Sequence, residues 1–277
     1  MFNLIFGIIA RIFSNSYLNV FQKILTGNGE KSSVVNFYTY LGLVIIGLIF
    51  CLHPEFSTEA LPFIVIMGLL GALGNYFIIK ALSCGELSTL APINSYKPIV
   101  ALFIGIFMLG EIPGVNEVIG MVLIILGTLI LKGHTFTPSK AYFYRILALI
   151  FSGTEAVFIK KVILLTNISS AFLYWAAAGL IFALLISLRY KLIISKSSLK
   201  IQAALIIMVC IMQYSTNYVF SKINTAYALS LFQLSTILSV FLGVNIFKEK
   251  DLIRKFIASL IMITGAITII LTGCHPI

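Results

Sequence analysis

Long apolar runs follow one another along almost the whole chain, and only short polar gaps separate them. Each run approaches the roughly 17–25 residues that a helix needs to cross a bilayer. The ten predicted spans are Phe2–Leu25, Val34–Leu52, Leu61–Leu82, Leu87–Leu109, Val115–Leu131, Tyr142–Leu165, Ser170–Leu188, Ile201–Lys222, Ala226–Phe247 and Leu252–Thr272. Because lipid offers no hydrogen-bond partner to an open backbone, these runs are predicted to be helices. The predicted fold class is an all-α polytopic membrane protein with ten transmembrane helices.

The composition excludes several classes of function. Hydrophobic residues make up 60% of the chain and charged residues 10%, against about 25% charge in soluble proteins. The basic residues sit mostly in the gaps, so the net charge of +10 indicates membrane topology and no nucleic-acid partner. The four cysteines lack C-x-x-C spacing and no Walker motif is present. We therefore expect no metal, no cofactor and no enzymatic activity.

The chain repeats itself at an offset of 137 to 142 residues. The matching pairs are Phe21/Phe158, Lys23/Lys160, Ser32/Ser169, Ser33/Ser170, Gly42/Gly179, Asn75/Asn217, Tyr76/Tyr218, Lys80/Lys222, Gly105/Gly243, Glu111/Glu249 and Gly127/Gly265. They predict two five-helix repeats, residues 1–134 and 141–277. Five spans is an odd number, so the second repeat is inverted, as in many secondary transporters. The alternative is a duplication kept only for packing.

Lysine and arginine predict the orientation. Fourteen of the 19 lie in the gaps after odd-numbered spans or at the adjoining helix ends. Three, Lys160, Lys161 and Lys222, lie on the opposite side, while Arg11 and Lys97 lie inside spans. The side of the membrane with more lysine and arginine is predicted to be cytoplasmic, which places both termini outside.

Three charges are predicted at mid-depth: Arg11 in span 1, Lys97 in span 4 and Glu155 in span 6. Each such charge costs about 3 kcal/mol on insertion scales, so pairing or a wet cavity must offset it. Glu155 is a candidate counter-ion for Arg11 or Lys97, and also a candidate carrier of a coupled proton. A cavity holding all three has a net charge of about +1.

Span 1 carries a polar stripe of Arg11, Asn15, Asn19 and Gln22, which share one helix face. We expect this face to point into the protein. A cavity lining and hydrogen bonding between helices remain alternatives for the amides. The same alternatives hold for Asn75 in span 3 and for Gln213 and Asn217 in span 8. Most aromatic residues are interpreted as lipid-facing or packing residues, and Glu111 and Glu249 as boundary or loop-locking residues.

Pro92 and Pro98 flank Lys97 in "APINSYKPIV". Proline removes a backbone donor and kinks a helix, so span 4 is predicted to open near its middle. Carbonyl groups freed around Asn94 then need partners, which a water-lined cavity supplies. Lys97 lies too deep to snorkel across roughly 15 Å, half the hydrocarbon core, and is predicted to face a ligand.

Residues 87–131, "LSTLAPINSYKPIVALFIGIFMLGEIPGVNEVIGMVLIILGTLIL", resemble the closing part of an EamA domain of the drug/metabolite transporter superfamily. Pro92, Gly110-Glu111, Gly120 and Gly127 match its pattern. The second repeat departs from the pattern at Ser230 and Ala258 and keeps Gly265. The resemblance implies two five-helix EamA-like units. Many members begin on the cytoplasmic side, which conflicts with the orientation predicted from charge.

The resulting hypothesis is a secondary transporter that moves a small organic anion or an amino acid by alternating access. Export across the inner cell membrane is the expected direction. Lys97-Pro98 also resembles the sugar-phosphate branch of the superfamily, which favours an anion. The predicted partners are a small-molecule substrate, the lipid bilayer and a coupling proton, and a homodimer is compatible with them. A membrane-embedded enzyme and a non-transporting sensor or assembly subunit remain alternatives.

Overall fold

The computed structural model describes residues 2–132, 139–247, 257–258, 260–265 and 267–268, and this part of the chain contains helices and no strand. The helices are α1 Phe2–Gly27, α2 Ser32–Phe50, α3 Leu61–Cys84, α4 Leu87–Leu90, α5 Lys97–Leu109, α6 Val115–Lys132, α7 Lys140–Leu165, α8 Ile168–Ser187, α9 Leu199–Phe220, α10 Thr225–Phe232 and α11 Leu234–Phe247. Short 3-10 turns lie at Thr58–Ala60 and Ala91–Tyr96. The described residues from 257 to 268 are helical too. The predicted all-α class is confirmed.

Among the described residues, five helices are long and apolar enough to cross a membrane by length and composition. They cover Asn3–Gly27, Ser32–Phe50, Thr58–Cys84, Ile168–Ser187 and Leu199–Phe220. α7 is 26 residues long but carries Lys140, Arg145, Glu155, Lys160 and Lys161, which lower its hydropathy. The fourth and ninth predicted spans are each divided between two helices. The count of ten spans therefore stays a prediction.

The bundle has an apolar outer surface, and polar side chains lie buried within its mostly apolar interior. On α1 the side chains of Phe6 and Phe13 are exposed, whereas Arg11, Asn19 and Gln22 are buried. The stripe predicted to face the interior does so. Large apolar side chains on the outer surface suit a surface in contact with lipid tails.

Small residues let the helices approach closely, as is usual in membrane bundles. The principal pairs are α3 with α7, α1 with α9, and α2 with α8. A Cβ on Gly68 would collide with Ala178, where α3 meets α8. A Cβ on Gly179 would collide with the ring of Tyr40, where α8 meets α2. These contacts place the two halves of the chain against one another along the length of the bundle.

Loops from the two halves meet at both ends of the bundle. At one end, the Ser195 backbone N–H and hydroxyl group donate to Glu30 Oε1 at 3.1 and 2.6 Å. Partial burial opposes ionisation of Glu30, but hydrogen bonds from Ser195 and Ser198 outweigh it and lower the pKa of the carboxyl group. At the other end, the Glu55 N–H donates to Ser170 Oγ at 2.8 Å.

The predicted opening of the fourth span is confirmed. α4 ends at Leu90, a 3-10 turn covers Ala91–Tyr96, and α5 begins at Lys97. The ninth span, predicted as one helix, is also divided, between α10 and α11 at Gln233. This break has no proline. Instead, the side chains of Ser230 and Gln233 bond to main-chain carbonyl groups four residues earlier, which competes with regular helix geometry.

The structure corrects the interpretation of two basic residues that were counted as topology signals. Arg145 is 1% exposed, and its Nε donates to the Leu90 carbonyl oxygen at 3.1 Å. The end of α4 frees that carbonyl group, so Arg145 stabilises the break in the fourth span. Lys160, on the opposite side, is buried as well. Arg145 was counted on the side that is rich in lysine and arginine, and Lys160 on the opposite side. Removing one residue from each side leaves the excess of basic residues on the rich side.

Candidate functional site

A polar cavity lies among the helices, with a volume of about 90 Å³. This is room for several waters, and less than the roughly 300–1,000 Å³ of pockets for drug-sized ligands. The polar residues that line it are Arg11, Asn15, Asn19, Tyr40, Asn75, Asn94, Lys97, Ser152, Glu155, Trp175, Gln213 and Thr216. Seven of the eight predicted site residues are among them, and Asn217 is the exception.

Lys97 owes its position to the break in the fourth span. It is the first residue of α5, and its backbone N–H donates to the Asn94 carbonyl oxygen. Its side chain is half-buried and lines the cavity. Among the described residues, none forms a hydrogen bond or ion pair with Lys97 Nζ. The ammonium group is therefore free to bind a molecule in the cavity.

Arg11 reaches the cavity from the buried face of α1. Its Nε donates to Thr216 Oγ1 at 2.7 Å, and its guanidinium group lies 4.9 Å from the centre of the Phe232 ring. These contacts fix the plane of the group. Nη1 is buried and has no hydrogen-bond partner. Because an unpaired charged donor is costly in a protein interior, this nitrogen is suited to an anionic or carbonyl group of a ligand.

Glu155 on α7 is held by Trp175, whose ring packs against Tyr40. Trp175 Nε1 donates to Glu155 Oε1 at 2.5 Å, and the Trp175 and Tyr40 rings are 5.1 Å apart between centroids. Gly71 on α3 leaves the space for this arrangement. A Cβ there would collide with Glu155 Oε1 and lie 2.9 Å from Trp175 Nε1.

The hypothesis that Glu155 pairs directly with Arg11 or Lys97 is not supported by the geometry. Within the described part of the chain, no ion pair of 4.0 Å or less joins them. All three residues nevertheless line the same cavity. The cavity thus keeps two unneutralised cations on α1 and α5 and a carboxylate on α7.

The amides on α1 and in the break contribute in different ways. Asn15 Nδ2 donates to Ser235 Oγ at 2.9 Å, which links α1 to α11. The neighbouring Ser16 hydroxyl group donates to the Ser235 carbonyl oxygen at 2.9 Å, close to the break at Gln233. Asn94 Oδ1 is buried without a hydrogen-bond partner, so it is available to a donor in the cavity.

Asn75 both lines the cavity and bonds between helices, so the two alternatives for it coexist. It accepts a hydrogen bond from Gln22 Nε2 at 3.0 Å and donates to Asn36 Oδ1 at 2.6 Å. Gln213 lines the cavity, and its Nε2 donates to Asn217 Oδ1 at 2.9 Å. Asn217 is fully buried outside the lining.

Sequence reasoning missed several residues of the site. Trp175 and Tyr40 were grouped with packing aromatics, although both line the cavity. Trp175 is the one tryptophan of the chain, and its indole N–H needs a partner when buried, which was an available signal. Thr216 lies one residue before Asn217, and its partnership with Arg11 joins positions 205 residues apart. No local pattern reveals such a pair.

Glu111 lies outside the cavity and locks a loop, as predicted. Gly110, at φ +67°, turns the chain at the end of α5 and presents Glu111 to the start of α10. Glu111 Oε2 accepts from the Thr225 N–H at 2.8 Å. Oε1 forms an ion pair with Lys160 Nζ at 2.7 Å, with both side chains less than 10% exposed. Glu249, its counterpart in the repeat, lies outside the described residues.

A helical bundle with an apolar outer surface and several long apolar helices is typical of an integral membrane protein. Residues 2–132 match the sequence model of the EamA-like transporter family. The resemblance drawn from residues 87–131 is confirmed. This is a family of transporters and not of enzymes.

The fold agrees with a known structure over nearly the whole length. A crystal structure, described simply as that of a protein, superposes with a TM-score of 0.75, covering 97% of this chain and 96% of that chain. The sequence identity is 15%, so the similarity concerns the fold alone. A comparison with curated proteins finds no match.

Proposed function

We propose that this protein is a secondary transporter that moves a small organic metabolite, an anion or an amino acid, across the membrane by alternating access. The observation that carries the proposal is the pair of unpartnered cationic groups, Lys97 Nζ and Arg11 Nη1, in a cavity inside an apolar bundle. A membrane protein retains such charges at depth where they serve a ligand or ion. The small cavity volume favours a small substrate.

Reciprocal helix contacts support an inverted repeat of residues 1–134 and 141–277. The repeat aligns spans 1–5 with spans 6–10, so α1 (span 1) corresponds to α7 (span 6) and α3 (span 3) to α9 (span 8). The contact of α3 with α7 therefore has the contact of α9 with α1 as its counterpart. Both pairs are prominent. Likewise, α5 packs on α7 and α1 on α11. A two-fold relation between the halves requires such reciprocity.

Two glycines support the same relation. Gly127 on α6 lies against Met262 of the last helical segment. Gly265 of that segment lies against the Gly120 carbonyl oxygen of α6. Gly127 and Gly265 are the pair aligned by the repeat, and each faces the partner helix of the other half.

The two divided spans support alternating access. Both breaks have a partner in the opposite half: Arg145 binds the Leu90 carbonyl group, and Ser16 binds the Ser235 carbonyl group. Discontinuous helices near the midplane are where many secondary transporters bind their substrate. Rocking of one repeat against the other would expose this region to each side in turn.

Glu155 is the proposed site of a coupling proton. It is the carboxylate among the described lining residues, and it shares the cavity with the cations Lys97 and Arg11. A substrate anion that binds these cations would remove their influence on the carboxylate, which couples substrate binding to protonation. Export across the inner cell membrane is the proposed direction, and the family resemblance alone supports it.

Transport can be tested before the substrate is identified. Cells that overproduce the wild type are compared with cells that overproduce Arg11→Gln, by measuring small metabolites inside and outside. We expect the wild type to change the ratio of outside to inside concentration for at least one metabolite. In Arg11→Gln this change should be smaller by about tenfold or more, because a hydrogen bond to a charged group contributes about 1.5–3 kcal/mol. Purified protein in liposomes then transports that metabolite, and Glu155→Gln changes the pH dependence of the rate.

The matched control is Arg189→Gln, which removes an exposed arginine from the loop after α8 and should leave transport at the wild-type level. If the wild type and Arg11→Gln give the same metabolite profile, the enzyme or sensor alternatives gain support. An unchanged pH profile in Glu155→Gln would exclude Glu155 as the proton carrier.

The orientation has a separate test. Single cysteines are introduced into a cysteine-free protein by His53→Cys or by Lys196→Cys. Position 53 is exposed in the loop between α2 and α3, and position 196 is exposed in the loop between α8 and α9. The charge bias predicts that a membrane-impermeant maleimide added to intact cells labels position 53 and leaves position 196 unlabelled. The reverse pattern would show that the orientation usual in the family applies here.

A further inference from the structure

The hydroxyl group of Tyr40 lies beside the Glu155 carboxylate, yet it has no hydrogen-bond partner among the described residues. A Cβ on Gly71 would lie 3.0 Å or less from Tyr40 Oη, Glu155 Oε1 and Trp175 Nε1 alike, so these three polar atoms surround one point. Trp175 Nε1 donates to Glu155 Oε1, whereas Tyr40 Oη is buried and unpaired. Because an unpaired buried hydroxyl group is costly, we expect a second state of the site in which it is paired.

Packing holds the Tyr40 ring in place, so its hydroxyl group stays directed at the cavity. The side chain is 1% exposed, and its ring centroid lies 5.1 Å from that of Trp175. The ring also fills the space beside Gly179, where a Cβ would collide with it. The flexible Glu155 side chain is therefore the member of the pair that can move.

The two donors around Glu155 come from different halves of the chain. Tyr40 lies on α2 in the first half, whereas Glu155 lies on α7 and Trp175 on α8 in the second half. A hydrogen bond from Tyr40 to Glu155 would join the two halves, and the bond from Trp175 stays within one half. The first bond therefore depends on how the halves are placed, which alternating access changes.

We infer that Tyr40 is a positioning residue for Glu155: its hydroxyl group donates to the carboxylate when Glu155 is charged, and this bond breaks when Glu155 takes up a proton from cavity water. The inference rests on the proposed proton site and adds how protonation is transmitted from one half to the other. A charged carboxylate gains from a second donor, because such hydrogen bonds stabilise the charged form. A protonated carboxyl group accepts more weakly, so the contact between the halves is lost.

The other charged groups around the cavity are the same in the wild type and in a Tyr40→Phe variant. Arg11 on α1 and Lys97 on α5 line the cavity together with Glu155. Among the described lining residues, the other segments packed on α7 contribute no charged side chain. A comparison of Tyr40→Phe with the wild type therefore isolates the hydroxyl group.

Trp175 is the one tryptophan of the chain, so its fluorescence reports on Glu155 without any substrate. The emission of the purified protein is titrated from about pH 5 to about pH 9. We expect a transition in the wild type and none in Glu155→Gln, which cannot ionise. In Tyr40→Phe the midpoint should move to higher pH by about one unit, a tenfold change in proton affinity, because the charged form loses a donor. Thermal stability should not fall, because the removed hydroxyl group has no partner among the described residues.

Tyr38→Phe is the matched control for this substitution. Tyr38 lies on the same helix outside the cavity lining, and its hydroxyl group donates to the Leu192 carbonyl oxygen at 2.8 Å. Its loss removes a hydrogen bond and should leave the midpoint unchanged. Gly71→Ala is a second approach: its Cβ would displace Glu155 Oε1 from both donors, so the midpoint should rise again. Gly74→Ala on the same helix makes only ordinary contacts and should have no effect.

The inference is overturned if the wild type shows no transition, if Glu155→Gln retains it, or if Tyr40→Phe and Tyr38→Phe share one midpoint. The last result would mean that the hydroxyl group serves water or a ligand instead. If Tyr40→Phe does not fold, the midpoint of Gly71→Ala decides the matter. Transport of a metabolite with an unchanged midpoint in Tyr40→Phe would sink this inference and leave the proposed function standing. Shifted midpoints without any metabolite shift in cells would do the opposite.

Discussion

Lys97→Met is expected to lower transport by about 30-fold or more while the protein stays folded and inserted in the membrane. Removing one partner of a buried charged contact costs about 2–5 kcal/mol of binding free energy. Lys97 Nζ has no partner among the described residues, so its loss leaves no protein group unpaired. Because the desolvation cost of the ammonium group disappears, thermal stability should be unchanged or higher. Both quantities are measured on the same purified sample.

Two further variants sharpen this prediction. Lys97→Arg keeps the charge but changes its shape and its donor geometry, so we expect poor recovery of transport. Lys196→Met makes the same substitution at an exposed loop position and should leave transport and stability at the wild-type level. Wild-type transport in Lys97→Met would remove the lysine from the binding site. A large loss of stability would instead reveal a structural partner.

Features that depend on neighbouring residues could be predicted from the sequence. Periodicity placed Arg11 and Asn19 on the buried face of α1, and two prolines predicted the break before Lys97. Both are confirmed by the helix bounds and burial. The cavity was predicted by a less direct argument, because charged side chains inside a membrane need a charged partner, water or a ligand.

Features that depend on distant residues could not be predicted. Arg145 lies five residues after the start of α7, a position that resembles an interfacial charge, yet α4 and the 3-10 turn cover it. Its role follows from the Leu90 carbonyl group, 55 residues earlier in the chain. Trp175 and Glu155 are 20 residues apart on two helices, and their hydrogen bond depends on how α7 and α8 pack. Periodicity carries no information on either pairing.

Lys160→Met should cause the largest loss of stability of the variants considered. Glu111 and Lys160 form a buried ion pair at 2.7 Å, and breaking such a pair by removing one partner costs about 3–5 kcal/mol. Lys160 Nζ also donates to the Ile223 carbonyl oxygen at 2.9 Å, which would be left without this donor. The pair joins the loop after α5 to α7 and to the start of α10, so its loss should loosen the contact between the halves. The measurement is thermal unfolding of the purified protein.

The neighbouring residue provides a matched control. Lys161→Met removes the same side chain one position later, where the ammonium group lies 5.9 Å from the Phe63 ring centre, and should cost no more than about 1 kcal/mol. The double variant Glu111→Gln, Lys160→Met removes both charges and should recover much of the loss, because no unpaired charge remains buried and the Gln side chain can still accept from Thr225. Equal stability of Lys160→Met and Lys161→Met would contradict a stabilising role for the pair. If the double variant is less stable than Lys160→Met, the penalty does not come from a stranded carboxylate.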